Sequence, residues 1–190
     1  LVPGASGIQH MASLNEQQTA SIITAFSELE SDIDYLIVDM AAGLSDSVMT
    51  FLCACQRRYI VLKNEPSSIA DAYATIKVML QDYNLDNIWL IPNAVTSQPD
   101  GIRLSKNINT VVKNFLGGQV NYLHSITADE MVLRATKSSK CLLDFAPSSN
   151  ATRDFKELAK IIDSQGSDIG ISGGLQFFLE RIVADQVKVG

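Results

Sequence analysis

Four short strand-like stretches, each closed by a polar loop and followed by a helical pattern, constrain this 190-residue chain more than any other feature. They are Tyr35–Val38, Arg58–Lys63, Asn87–Ile91 and Gln119–Ile126. Tyr35–Val38 is too short for a buried helix and rich in strand formers, so it reads as a strand covered on both faces, and the other three also read as strands. Helical spacing of apolar residues falls between them, at Asn15–Leu29, Ser47–Gln56, Ile69–Asp82 and from the Pro99-Asp100-Gly101 loop through Phe115. Two further helices are predicted at Glu130–Lys137 and Thr152–Ile162, after the last strand. Strand and helix in strict alternation, with short connections, predict an α/β fold: a parallel sheet with right-handed crossovers and helices on both faces. The loops at Asp39, Asn64-Glu65, Asn93 and Asp129 then gather along the carboxyl edge of the sheet. That edge is where ligands bind in open α/β sheets.

The stretch Asp34 to Asp46 is the most informative of the four. Its apolar run ends abruptly in the carboxylate of Asp39. Two small residues and Gly43 follow, then Ser45, which suits a helix N-cap. An acid at a strand end beside a loop of little bulk is suited to holding Mg²⁺ next to a phosphate. The competing reading is an Asp that only caps the next helix.

Bulk properties narrow the function classes. With 46% hydrophobic and 19% charged residues the chain can bury a sizeable core. A net charge of -6 argues against a chain built to grip nucleic acid, which needs a basic face. No apolar run reaches the length of a membrane span, and no charged-then-apolar leader opens the sequence. Cys53, Cys55 and Cys141 lack metal-ligand spacing, and Cys53 and Cys55, inside an apolar helix, read as buried thiols of a reducing compartment. His10 and His124 are far apart and form no metal pattern; His124 reads as a satisfied strand residue. Trp89 reads as core.

The domain is expected over 1–163, with Leu1 to Gly7 resembling the end of a strand and a small-residue loop, as if the fold began upstream. The Gly/Ser-rich stretch 164–174 reads as a linker. The segment 175–190 is amphipathic, with Leu175, Phe178, Leu179 and Ile182 on one helical face and Phe177 and Val183 flanking it. It reads either as a surface-seeking helix or as a final helix docked on the body. The lack of excess Lys or Arg favours docking.

Two long motifs, Val38-Asp39-Met40-Ala41-Ala42-Gly43-Leu44-Ser45-Asp46-Ser47-Val48 and Asn64-Glu65-Pro66-Ser67-Ser68-Ile69-Ala70-Asp71-Ala72-Tyr73-Ala74, carry a resemblance. With them the chain resembles the MinD/ParA superfamily of P-loop ATPases, and within it the flagellar number regulators of the FlhG/FleN group. Phe26-Ser27-Glu28-Leu29 and Phe177 to Val183 agree with it, so the resemblance runs nearly end to end. It implies a MinD-like fold, ATP and Mg²⁺ as cofactors, and roles for particular residues. Asp39 matches the acid that helps hold Mg²⁺. Gly43, after Ala41 and Ala42, matches the switch loop at the γ-phosphate. Asn93 matches the residue whose amide recognises adenine. Thr127, Ala128 and Asp129 match the loop that closes over the base, and Pro66 a turn near the nucleotide and the dimer face. The implied partners are a second copy in the ATP state, a flagellar transcriptional activator and the flagellar SRP-type GTPase. The implied location is cytoplasmic, with the tail helix reaching the inner face of the membrane.

The departures matter as much. No Gly-x-x-x-x-Gly-Lys-[Ser/Thr] occurs in these 190 residues, so the backbone cradle, the phosphate Lys and the Mg²⁺-binding hydroxyl are not among them. Met40 stands where Thr is usual, and Ala94 stands where a basic residue is common elsewhere in the superfamily. The chain as it stands is therefore expected not to turn over ATP. The leading expectation is an ATPase-type regulator of flagellar number. The alternatives are a catalytically inactive pseudo-ATPase or interaction module and, less favoured by the acidic composition, a ParA-type partition protein.

Overall fold

The structure is a computed structural model and describes residues 16–27, 33–40, 43–165 and 177. The chain divides into two compact units, Leu1–Gln56 with Ile169–Gly190, and Arg57–Asp168.

The second unit holds the sheet. Its elements in chain order are β1 (Arg58–Leu62), α3 (Pro66–Gln81), β2 (Ile88–Val95), α4 (Gln98–Leu116), β3 (Asn121–Tyr122), β4 (Ile126–Thr127), α5 (Glu130–Lys137), α6 (Leu142–Phe145) and α7 (Asn150–Ser164), the helices being numbered after α1 and α2 of the first unit. β1, β3 and β4 all pair parallel with β2, in the registers Arg58↔Ile88 to Leu62↔Pro92, Trp89↔Asn121 and Asn93↔Ile126. The parallel sheet predicted from the alternation is thus observed, and its carboxyl ends share one edge. The alternating side chains of β2 divide between two layers. Ile88, Leu90 and Pro92 are fully buried or nearly so, with Pro92 close to α4 at Gly101. Ile91 joins Leu123, Ile126 and Ala151 in a cluster backed by Tyr59, Trp89, Leu158 and Ile161.

Several boundaries differ from the sequence reading, each for a physical reason. β2 continues through Pro92, although a proline lacks the ladder N–H. It is tolerated here one residue before an irregularity in the pairing with β4. The predicted last strand is reduced to two short pieces, β3 and β4, both held by β2. α3 begins at Pro66, whose fixed φ suits a first helical position. Ser68 lies in its first turn, and its Oγ accepts the Lys63 N–H at 3.0 Å. Pro99-Asp100-Gly101 is not a loop but the first turn of α4, capped by Ser97. Gly101 is required by packing: a Cβ there would lie 1.9 Å from Ser125 Oγ and 3.3 Å from Pro92 Cβ.

The first unit is described through α1 (Glu16–Ser27), α2 (Asp46–Ala54), the segment 33–40, which is neither helix nor strand, and Phe177. Ile23, Ala54 and Phe177 are buried together, with Phe26, Leu36, Val38 and Phe51 packed on them. The Phe177 ring stacks on Phe51 and meets Phe26 edge-on. Its N–H donates to Ala54 O and its carbonyl accepts from Gln56 Nε2. The expected strand Tyr35–Val38 is corrected here. Among the described residues it carries no strand, and only Leu36 and Val38 pack on the cluster. Tyr35 is 56% and Ile37 89% exposed. A continuous apolar run reports that a segment can be buried twice; whether a second layer covers it depends on elements far away in sequence. The rest of the predicted linker and tail helix lies outside the described residues.

Candidate functional site

The carboxyl edge of the sheet in the second unit brings together five of the expected site residues. Pro66 opens α3 just past the end of β1. Asn93 lies in the last turn of the β2 ladder, opposite Ile126, and Thr127 is opposite Val95. Ala128 and Asp129 follow directly. Asp39 and Gly43 belong to the first unit. The Asp39 carboxylate is exposed, and among the described residues it has no hydrogen-bond or ion-pair partner. Gly43 has φ +120°, a value that a side chain rarely adopts, and a Cβ there would meet nothing within 4 Å. Its loop therefore needs glycine for its backbone and not for space.

Each residue of the loop after β4 is tied down differently. The Thr127 N–H donates to Asp154 Oδ2 at 2.7 Å, and the Ala128 N–H to Val95 O at 2.8 Å. Asp129 is the N-cap of α5: its Oδ1 accepts from Met131 N at 2.9 Å, while Oδ2 accepts from Ala151 N, in the first turn of α7, at 3.2 Å. These bonds favour the charged carboxylate. The Met131 and Ala151 N–H groups hold its pKa below the usual carboxylate value, against the smaller opposing effect of burial, with help from Ser149 and Asn150. Asp129 is thus an anchor joining two helix N-termini, and its carboxylate is not free to serve a ligand. Asn93 differs: it is half-buried, and among the described residues its side-chain amide has no hydrogen-bond partner.

Below the loop runs a polar cluster that the sequence did not reveal. Gln98 Nε2, at the start of α4, donates to Ser125 O at 2.9 Å and to Asp154 Oδ1 at 3.0 Å. Tyr122 OH donates to Gln98 Oε1 at 3.1 Å and accepts from Ser125 Oγ at 3.1 Å. His124 Nε2 is buried 3.8 Å from Asp154 Oδ1 without a hydrogen bond, so the expectation of a satisfied strand histidine is not met. Asp154 looks in sequence like one acid on the solvated face of a helix. Only the fold brings it to residues 98 and 127, which is why no spacing pattern signals it.

A cavity of about 470 Å³ opens at the same edge between the β1–α3 and β2–α4 connections, lined by Lys63, Asn64, Glu65, Ala94, Thr96 and Arg103 among others. Asn93 does not line it. A larger one, about 650 Å³, lies at the opposite edge near Asn87, Lys113 and Asn121 and touches no expected site residue. Among the described residues no group of three or more His, Cys, Asp or Glu side chains is placed to hold a metal, and no helix is long and apolar enough to cross a membrane.

No protein-family model matches the chain. It is 37% identical over 183 residues to the antiactivator FleN of Pseudomonas aeruginosa, covering 96% of this chain and 65% of that protein. It is 27% identical over 187 residues to the flagellum site-determining protein YlxH of Helicobacter pylori, covering 96% of this chain and 63% of that one. The chain therefore spans a little under two thirds of the length of these relatives. Among solved structures, MinD of Pyrococcus horikoshii, complexed with Mg-ADP, superposes with a TM-score of 0.64 over 89% of this chain and 65% of its own, at 21% identity. The parallel sheet, the edge that gathers Pro66, Asn93 and Thr127, and FleN-like sequence along nearly the whole chain lead to one conclusion: the chain is a FlhG/FleN-like member of the MinD/ParA family.

Proposed function

We propose that this chain is part of an ATP-dependent, MinD-like regulator of flagellar number or placement, and that the described edge of its sheet is the adenine side of the nucleotide site. The observation that carries the reading is the 37% identity to an antiactivator along 96% of the chain. The free, half-buried amide of Asn93 beside the pinned loop Thr127–Ala128–Asp129 supports the adenine assignment. An amide there offers an acceptor to the exocyclic amine of adenine and a donor to a ring nitrogen.

The residues present fit the implied cofactors unequally. Asn93 fits a base, since its polar atoms are unused. Asp39 fits Mg²⁺, since its carboxylate is exposed and has no partner among the described residues. Asp129 fits less well as a direct ligand, because both its oxygens are engaged by backbone N–H groups; its role is to hold the loop. Bound Mg·ATP supplies a γ-phosphate whose presence or absence a regulator reads, and Gly43 gives the loop after Asp39 the backbone freedom to respond. On this reading the nucleotide state governs pairing with a second copy, and the partners are a flagellar transcriptional activator and the flagellar SRP-type GTPase. The protein works in the cytoplasm, with the segment 175–190 contributing membrane contact.

The direct test is to replace Asp39 by Ala in the full-length gene of the cell that carries it, and to count flagella by electron microscopy. A regulator that needs its metal gives cells with an altered flagellar number. An unchanged count at normal protein level removes the flagellar reading.

A further inference from the structure

β2 departs from strand geometry at one residue. Ala94 has φ +54°, a left-handed conformation that a Cβ disfavours and that turns usually assign to Gly or Asn. The pairing with β4 shifts at the same place: Asn93 is opposite Ile126, but Val95 is opposite Thr127. Two steps on β2 thus match one on β4, which makes Ala94 the extra residue of a β-bulge. Bulges bend a strand and re-aim the side chains beside them. A strained residue retained next to a ligand site points toward function.

The neighbours of the bulge show what it does. In an unbroken strand Asn93 and Val95 would share one face and one fate. Here Val95 is 4% exposed and in the core, while Asn93 is half-buried with an unpartnered amide. Beyond the bulge, Val95 O accepts the Ala128 N–H at 2.8 Å, so the shifted register is what fastens the loop to the strand. Ala94 itself is exposed and makes no packing demand that would explain its conformation.

We infer that Ala94 is a positioning residue for base recognition: its left-handed bulge keeps the Asn93 amide free while pinning the Thr127–Asp129 loop beside it, so that both meet one adenine ring. The inference rests on the adenine reading above. Adenine suits the amide because it offers an exocyclic donor next to a ring acceptor. Guanine presents two acceptors at the corresponding positions and leaves the Asn93 oxygen facing another oxygen.

The test compares adenosine with guanosine by saturation-transfer NMR on the 190-residue chain, with amide exchange at Ala128 as a second readout. Nucleosides serve as probes because they report on the base alone. The wild type is expected to favour adenosine, and Asn93→Ala to lose that preference without changing Ala128 exchange. Ala94→Gly and Ala94→Asn tolerate positive φ and keep the preference. Ala94→Val and Ala94→Leu oppose positive φ, lose it, and speed exchange at Ala128. The Asn and Leu variants are nearly equal in size at an exposed position, so they decide the matter even if the Val variant fails to fold. A Leu variant that keeps the preference, where Asn93→Ala loses it, overturns the role of Ala94 and leaves Asn93 in place. A wild type with no preference overturns the adenine reading, and this inference with it.

Discussion

Gly101→Ala tests the packing that builds the site's edge. In a helix interior the change should stabilise by roughly 0.5–1 kcal/mol through backbone entropy. The structure reverses that sign. The new methyl would lie 1.9 Å from Ser125 Oγ, 2.8 Å from Ser125 Cβ and 3.3 Å from Pro92 Cβ. A rotamer change clears the hydroxyl but not the Cβ, and both Ser125 and Pro92 are fully buried. The first turn of α4 must therefore move. Overpacking of this kind costs about 1–3 kcal/mol, and the displaced Ser125 hydroxyl forfeits its bond to Tyr122 OH, about 1 kcal/mol more. The balance is a net loss of about 2 kcal/mol, which for a chain of this size lowers Tm by roughly 4–8 °C. Urea and thermal unfolding followed by circular dichroism read it directly. Ser125→Gly in the same chain removes the clashing atoms, so the double variant should be less destabilised than the sum of the singles, by about 1 kcal/mol. A Gly101→Ala variant as stable as the wild type, or more so, refutes the account of why glycine stands there.

Other outcomes follow from the same geometry. Asp129→Asn should destabilise the second unit at neutral pH. The folded pKa of Asp129 lies below its ordinary value near 3.8, so its contribution is complete above that value and disappears as pH falls through the lower, folded one; urea midpoints of wild type and variant should converge in acid, and a gap that persists there contradicts the capping role. Asp154→Ala leaves the Thr127 N–H and one Gln98 donor without an acceptor and should destabilise by about 1–3 kcal/mol, with faster hydrogen exchange at Thr127; protection that stays unchanged removes Asp154 from the loop's support. Phe177→Ala deletes a ring packed on Phe26 and Phe51 and should destabilise the first unit by about 3–5 kcal/mol, seen as weakened protection in α1 and α2 while the sheet keeps its own; equal losses in both units would show that they unfold as one. Calorimetric titration of the 190-residue chain with Mg·ATP should show no micromolar binding, because no phosphate-cradling Gly-Lys loop is among these residues; tight binding would show that another group takes its part.

Much of the fold was legible in the sequence, because strand–helix alternation is a local signal with a global consequence. Parallel neighbours need crossovers, crossovers need helices, and their carboxyl ends then share an edge. That alone set Pro66, Asn93 and Thr127 along one edge, and it explains why β1, β2 and every described helix but α6 fall close to their predicted places. What it could not carry was anything that depends on which elements meet. The apolar run Tyr35–Val38 did not say that Tyr35 and Ile37 would be exposed. Pro99-Asp100-Gly101 read as a turn, whereas the glycine answers a strand packed against the helix. Asp129 looked like a ligand residue until two helix N-termini were found on its carboxylate. Asp154 and Gln98 are 56 residues apart and meet only in the folded chain. Ala94, a residue with no propensity for its own conformation, is held at positive φ by the pairing of β2 with its neighbours, and only tertiary structure can impose a conformation that the residue itself disfavours.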